Sequence, residues 1–251
     1  MTSAIEAALR RSRAISVAAL IALILLAWVW LITGAGMPGM IMEGAMPWST
    51  GRLALTVSMW WVMMVAMMLP SAAPTILLYA RAAVQGQAEV RPATESFLVG
   101  YLAIWGAFSL FATILQLLLD RGGLLVPMLM ASQSRRLSVA ILFSAGIYQL
   151  SPLKDVCLRQ CRNPAQFLSR HYQPGKVGAL RMGLLHGAYC VGCCWLLMAL
   201  LFLGGVMNLA WIALLTLMVA AEKLLPYGRF VARATGLACI AWGTAILLRQ
   251  A

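Results

Sequence analysis

The stretch AISVAALIALILLAWVWLI, residues 14–32, carries no charged side chain over nineteen positions. As a helix rising about 1.5 Å per residue it would measure roughly 30 Å, the thickness of a bilayer's hydrocarbon core. Working outward from it, six further apolar runs cover residues 53–79, 97–119, 137–150, 177–203, 209–221 and 231–248, and their length and apolar content predict membrane-crossing helices. The chain has 251 residues, 63% apolar and 10% charged, a ratio from which no soluble globular surface can be built. Such spans consume nearly all the apolar content, so a large soluble catalytic domain is excluded and no enzyme is expected. The expected fold is all-α, a polytopic transmembrane helical bundle of about seven spans that forms one integral membrane domain over residues 1–251.

Nineteen Lys and Arg against seven Asp and Glu give a net charge of +12. In a soluble protein that excess would suggest nucleic acid, but in a polytopic one it is first tested against the positive-inside rule. With a cytoplasmic N-terminus, the inner segments hold Arg10, Arg11, Arg13, Arg81, Arg91, Lys154, Arg159, Arg162, Arg170, Lys176, Arg181, Lys223, Arg229 and Arg233. Only Arg52, Arg121, Arg135, Arg136 and Arg249 fall outside. Cytoplasmic retention of Lys and Arg accounts for the split, so the expected partner is the lipid bilayer and no nucleic acid is needed.

The weakest run is 137–150, short and closed by Pro152; read as an interfacial or re-entrant piece, it would leave six spans. Charge argues for a full crossing, because without it the basic segment 154–181 would lie opposite Arg81 and Arg91. The Arg-Arg-Ser-Arg lead of the first run reads like a secretory signal, but the run exceeds a usual h-region and lacks a clear Ala-x-Ala site, which predicts an uncleaved anchor. No internal repeat or phosphate-binding G-x-x-x-x-G-K loop is present, which argues against an ATP-driven pump.

The densest chemical signal is His186-Gly-Ala-Tyr-Cys190-Val-Gly-Cys193-Cys194-Trp-Leu-Leu-Met198. With His186 at zero on a helical wheel, Cys190 falls at about 40°, Cys193 at about −20°, Cys194 at about 80° and Met182 at about −40°, all on one face. Thiolates and imidazole so placed can converge on one soft ion, Cu(I) or zinc. Gly183, Gly187 and Gly192 would admit a neighbouring helix to complete the shell. The plain alternative is that membrane cysteines are small apolar packing residues, and a lone buried His a hydrogen-bonded one.

Three further groups stand beside this one. Cys157 and Cys161, one helical turn apart within Ser151-Pro-Leu-Lys-Asp-Val-Cys-Leu-Arg-Gln-Cys-Arg-Asn-Pro164, make half a metal site or a redox pair, and their basic neighbours favour thiolate. Met59, Met63 and Met67 form a ladder with Met64 and Met68 beside it, before Pro70 and Pro74, which should kink or break the helix. Met37, Met40, Met42 and Met46 lie in a loop expected outside, where thioethers collect Cu(I) better than oxidisable thiols; ordinary packing is the competing account of the ladder. Glu222 and Lys223 end the sixth run, Glu222 either paired with a basic side chain or facing a ligand path. Asp120 and Glu43 read as solvated span-end residues, and Cys239 as packing.

At Met63 to Pro74, Pro152-Leu-Lys-Asp-Val-Cys-Leu-Arg-Gln-Cys-Arg-Asn-Pro164, Cys190-Val-Gly-Cys-Cys-Trp-Leu-Leu-Met198 and Glu222-Lys223, the chain resembles a bacterial family of predicted metal-binding integral membrane proteins. Some of its members are described as copper chaperones for tyrosinase-type polyphenol oxidases. The resemblance runs from about Met59 to Gly228, and the two cysteine motifs are its specific part. It implies copper handling in the membrane, which here means the bacterial inner membrane, with a copper-accepting or copper-donating protein as partner.

The expected function is therefore a Cu(I) chaperone or passive conduit, loading or unloading in either direction. Outer methionines would gather copper, Met59, Met63 and Met67 relay it, His186, Cys190, Cys193 and Cys194 hold it, and Cys157 and Cys161 exchange it at the cytoplasmic face. Zinc is the alternative ion at a Cys3His set. The competing readings are a thiol-disulfide oxidoreductase using Cys190 with Cys193 and Cys157 with Cys161, and an assembly factor with a structural metal. Cys194, which a redox pair does not need, weighs against the first.

Overall fold

The computed structural model describes residues 2–34, 48–85, 90–126 and 129–249. Met37, Met40, Met42, Glu43 and Met46 lie outside them. Helices run through every apolar stretch: α1 (Thr2–Ile32), α2 (Thr50–Gln85), α3 (Val90–Arg121), α4 (Arg135–Leu150), α5 (Pro152–Arg162), α6 (Pro164–His171), α7 (Gly175–Ala199), α8 (Leu201–Gly204), α9 (Leu209–Leu224) and α10 (Gly228–Leu248). Among the described residues there is no strand, only an isolated bridge between Leu125 and Ser132.

Among the described residues, five segments are long and apolar enough to cross a membrane alone: Ala14–Ile32, Thr50–Arg81, Thr94–Arg121, Gly175–Gly204 and Gly228–Leu248. The weak run becomes a broken one, with α4 and α5 bent by 66° at Ser151. The break has a local cause. Ser151 closes α4 through its N–H to the Tyr148 carbonyl, then caps α5 as its hydroxyl accepts from Lys154 N–H at 3.3 Å, with Pro152 as the first helical residue. A second Pro, Pro164, opens α6 after Asn163. α9, at 16 residues, is shorter than the other apolar helices that stand alone.

Pro70 and Pro74 do not break α2, which runs unbroken for 36 residues. Hydroxyls gather there instead: Ser71 Oγ donates to the Met68 carbonyl at 2.9 Å and the Tyr101 hydroxyl reaches the same oxygen at 3.2 Å.

The closest helix pair is α3 with α7. A Cβ on Gly183 would run into the Phe97 carbonyl, one on Gly100 into that of Leu180, and Gly187 faces Tyr101 and Ile104. Only glycine permits that backbone approach. Residue numbers rise together along the contact, so α3 and α7 are parallel, and the chain between them returns across the bundle through α4, α5 and α6. α4 and α10 pack antiparallel, with Gly146 against Gly236 and Ile240, and Gly243 against Phe143. Outward, Leu26, Phe111, Leu217 and Leu237 are exposed, whereas Lys154, Glu222, Lys223, Gln116 and Gln149 are buried. The surface is apolar and the interior carries charge.

Candidate metal centre

α7 presents its cysteines inward on one side. Cys190, Cys193 and Cys194 are each 1% exposed, and Cys161 of α5 is also buried. Cys193 Sγ lies 4.0 Å from Cys161 Sγ, and Cys194 Sγ lies 3.8 Å from Met68 Sδ of α2. With metal–sulfur bonds near 2.3 Å, two sulfurs on one ion stand roughly 3.7 to 4.6 Å apart, from tetrahedral to linear geometry. Each pair has that spacing. Among the described residues, however, no three His, Cys, Asp or Glu side chains converge into a ready metal site.

Between the pairs sits Lys223 of α9. Its Nζ lies 3.0 Å from Cys190 Sγ, 3.4 Å from Ser71 Oγ and 4.0 Å from Met68 Sδ. The Tyr101 hydroxyl stands 3.2 Å from Cys190 Sγ, tying α3 to the cluster. The Cys193 and Cys194 thiols also reach back to the Cys190 carbonyl, at 3.1 and 2.9 Å. Such i−3 and i−4 bonds are weak, because a thiol is a poor donor.

Beside this group Glu222 makes an ion pair with Lys154 at 2.6 Å and accepts from Gln149 Nε2 at 2.7 Å; Lys154 also donates to Gln149 Oε1. Lys154 and Glu222 are both 1% exposed. Glu222 thus takes the paired reading, but with Lys154 rather than its neighbour. Lys154 and Lys223, counted above as inner flanking charges, lie inside the bundle, because each has a buried partner that outweighs solvation.

The other expected residues divide. Cys157 does not join Cys161: a Cβ on Gly192 would approach its Sγ at 2.9 Å, so Cys157 packs on the α7 backbone while Cys161 meets Cys193. One turn aligns the two sulfurs on α5, but α5 meets α7 at two points. His186 is ringed by Phe97, Tyr101 and Phe167 at centroid distances of 6.0, 5.9 and 5.1 Å. Its Nδ1 is buried without a hydrogen-bond partner among the described residues. Met182 Sδ accepts from Gln173 N–H at 3.3 Å. Met59, Met63 and Met67 are buried in the core, but Met68, on the adjacent row, is the methionine that touches a cysteine. Asp120 accepts from Trp48 Nε1 at 2.7 Å and lies 4.0 Å from Arg52. Cys239 is buried in α10. Sequence reasoning left Met68, Lys154, Gln149, Ser71 and Tyr101 out of the site; the doubled Met63-Met64 and Met67-Met68 were the available sign of a second methionine row.

The protein is an all-helical bundle with an apolar exterior in which sulfurs of α2, α5 and α7 meet in pairs in the interior, with a buried ammonium against Met68 and Cys190. The particular family follows from comparison: the chain matches the family model PpoB2, described as copper chaperone, over residues 57–246, and it belongs to that family. No curated protein and no solved structure matches it.

Proposed function

We propose that this protein is a membrane-embedded Cu(I) chaperone or passive conduit that holds copper on Cys161, Cys190, Cys193, Cys194 and Met68 and passes it to a client of the tyrosinase type. The observation that carries the reading is two buried sulfur pairs, Cys161 with Cys193 and Met68 with Cys194, each at the spacing of two ligands on one ion. Thiolate and thioether are the donors that select Cu(I), and the methionine favours copper over zinc. Exchange among three or more sulfurs lets one bond form before another breaks, which suits transfer rather than catalysis. His186, with Nδ1 unpartnered, offers a nitrogen one turn from Cys190, and Met59, Met63 and Met67 extend the soft donors along α2. Cys157, half-buried on the far side of Gly192, belongs to an exchange position.

The reading sets the bundle in the bacterial inner membrane with seven spans and a cytoplasmic N-terminus. An apolar outside with charges inside suits a bilayer as solvent. The parallel course of α3 and α7 calls for a return crossing between them, for which α4 with α5 and α6, a broken helix, is the candidate. With Lys154 and Lys223 set aside, twelve inner basic residues still stand against five outer ones, as the positive-inside rule expects.

The test is anaerobic loading of detergent-purified protein with Cu(I) and with Zn(II), with free thiols counted on the same sample. Retained copper that disappears in Cys190→Ser/Cys193→Ser/Cys194→Ser is the expected result. Protein that keeps no metal but cycles a disulfide would replace this reading with the oxidoreductase one. Metal that stays bound and never exchanges with a chelator would replace it with a structural site.

A further inference from the structure

Two ammonium groups are buried side by side near the break of α4, and one buried carboxylate serves them. Glu222 is taken by Lys154 at 2.6 Å and Gln149 at 2.7 Å. Among the described residues no carboxylate lies within ion-pair distance of Lys223, which is 5% exposed. A buried ammonium without an anion is among the costliest groups a protein can contain. Around its Nζ stand a hydroxyl, a thioether and the Cys190 sulfur at 3.0 Å. Only the last can carry a full negative charge at neutral pH; thioether and Ser hydroxyl cannot.

We infer that Lys223 is the fixed counter-charge of the copper site, seated against Cys190 Sγ and neutralising the two-thiolate Cu(I) complex when metal binds. This rests on the copper reading above. The charges balance: Cu(I) takes Cys190 and a second cysteine as thiolates, any thiol proton they held passes to bulk water as the metal enters, and the product is a Cu(I) bis-thiolate of charge −1 beside an ammonium of charge +1. Inside a bundle that neutral sum matters, since an uncompensated anion would be expelled or would avoid forming. Without the ammonium, copper would settle for one thiolate and uncharged donors such as Met68. Lys223 is thus a positioning residue that sets how many thiolates copper recruits. Ser71 and Met68 of α2 hold its amine, so the counter-charge is anchored beside the cluster and does not travel with the metal.

The experiment measures Cu(I) affinity of the full chain in detergent against a chromophoric Cu(I) chelator, with X-ray absorption to count sulfur ligands. Truncating one partner of a desolvated charge pair typically costs enough to predict about a hundredfold weaker binding in Lys223→Met. The sulfur count should fall with it, while Lys223→Arg stays within about tenfold of the wild type, because the charge survives. Wild-type affinity and sulfur count in Lys223→Met would overturn the inference while leaving the copper reading intact. A metal-free cycle covers the case in which that variant folds poorly: Cys190→Ser should lower the unfolding temperature by stranding the ammonium, and Cys190→Ser/Lys223→Met should regain most of the loss. Strictly additive losses in that cycle would overturn the pairing. Coupling in the cycle, with no copper retained by the wild type, would keep the pair and remove its copper role together with the reading it rests on.

Discussion

The two halves of the α2–α3 core bury polar groups of opposite character. Toward the end where α3 finishes, Asp120 and Arg52 stay part-exposed at the rim and the fully buried groups have neutral partners: Trp60 Nε1 donates to Gln116 Oε1 at 2.7 Å, and Gln116 Nε2 reaches Met130 Sδ at 2.7 Å. Thr56, Ser109 and Thr113 turn their hydroxyls onto carbonyls one turn back in their own helices. Toward the break of α4, the partners are ammonium, carboxylate and thiol. In the first half Gln116 is tied by both ends of its amide, so admitting an ion there would leave amide and indole groups unsatisfied. The second half holds sulfurs with only weak bonds to lose, beside a buried ammonium whose charge would offset that of metal-bound thiolates. That difference, rather than the count of cysteines or methionines, marks where a soft ion would rest.

The largest effect is expected at the charged half. Glu222→Gln strips Lys154 of its anion in a site only 1% exposed, and breaking a buried pair from one side should destabilise the protein by about 3–5 kcal/mol. Thermal unfolding in detergent checks it, and Glu222→Gln/Lys154→Met should recover most of the loss. A cost below about 1 kcal/mol would mean that water reaches the pair and that the two halves do not differ as described. Next comes the neutral half. Gln116→Leu orphans Trp60 Nε1 and frees Met130, held at a φ of 50° that a side-chain-bearing residue rarely adopts. The expected loss is about 1–3 kcal/mol, with Cu(I) affinity unchanged. A matching fall in copper affinity would join the two halves into one site.

The cysteines of α5 sharpen the comparison at finer scale. Cys161→Ser removes a sulfur 4.0 Å from Cys193 and should weaken Cu(I) binding about tenfold, or roughly 1.4 kcal/mol. Cys157→Ser touches the α7 backbone at Gly192 and should leave equilibrium affinity within about twofold while slowing exchange to a chelator, an effect well under 1 kcal/mol. Equal losses in both variants would mean that Cys157 turns inward to join the cluster.

Much of this was legible from one chain of letters. Hydropathy placed the helices of α1, α2, α3, α7 and α10 because a bilayer-length apolar run has few other uses. The 100° rule put Cys190, Cys193 and Cys194 on one face of α7, and Pro152 marked where α4 ends, though the Ser151 cap and the 66° bend were not read from it. What could not be read depends on angles between helices. Glu222 and Lys223 are neighbours in sequence but point about 100° apart on α9, so one meets Lys154 and the other meets Cys190; nothing local says which partner waits on each side. Cys157 and Cys161 share a face of α5, and only the crossing with α7 separates their fates. His186 shares the thiol face by its angle, but aromatic rings from α3 and α6 occupy the space around it.

The methionines of α2 carry the smallest and most discriminating prediction. Met67 and Met68 are adjacent, buried and chemically identical, but it is Met68 whose sulfur lies 3.8 Å from Cys194 Sγ and 4.0 Å from Lys223 Nζ. Met→Leu keeps volume and apolarity, so both variants should fold with a stability change below about 1.5 kcal/mol. What differs is the thioether. Met68→Leu removes a neutral donor beside the thiolates and should lower Cu(I) affinity by about threefold, or roughly 0.7 kcal/mol. Met67→Leu, like Met63→Leu and Met59→Leu, should leave equilibrium affinity unchanged and alter only the rate at which copper enters or leaves along α2. If Met67→Leu weakened binding as much as Met68→Leu, the ladder and the thiols would form one continuous site, and the boundary drawn here between a holding cluster and its approach would have to move up α2 by a full turn.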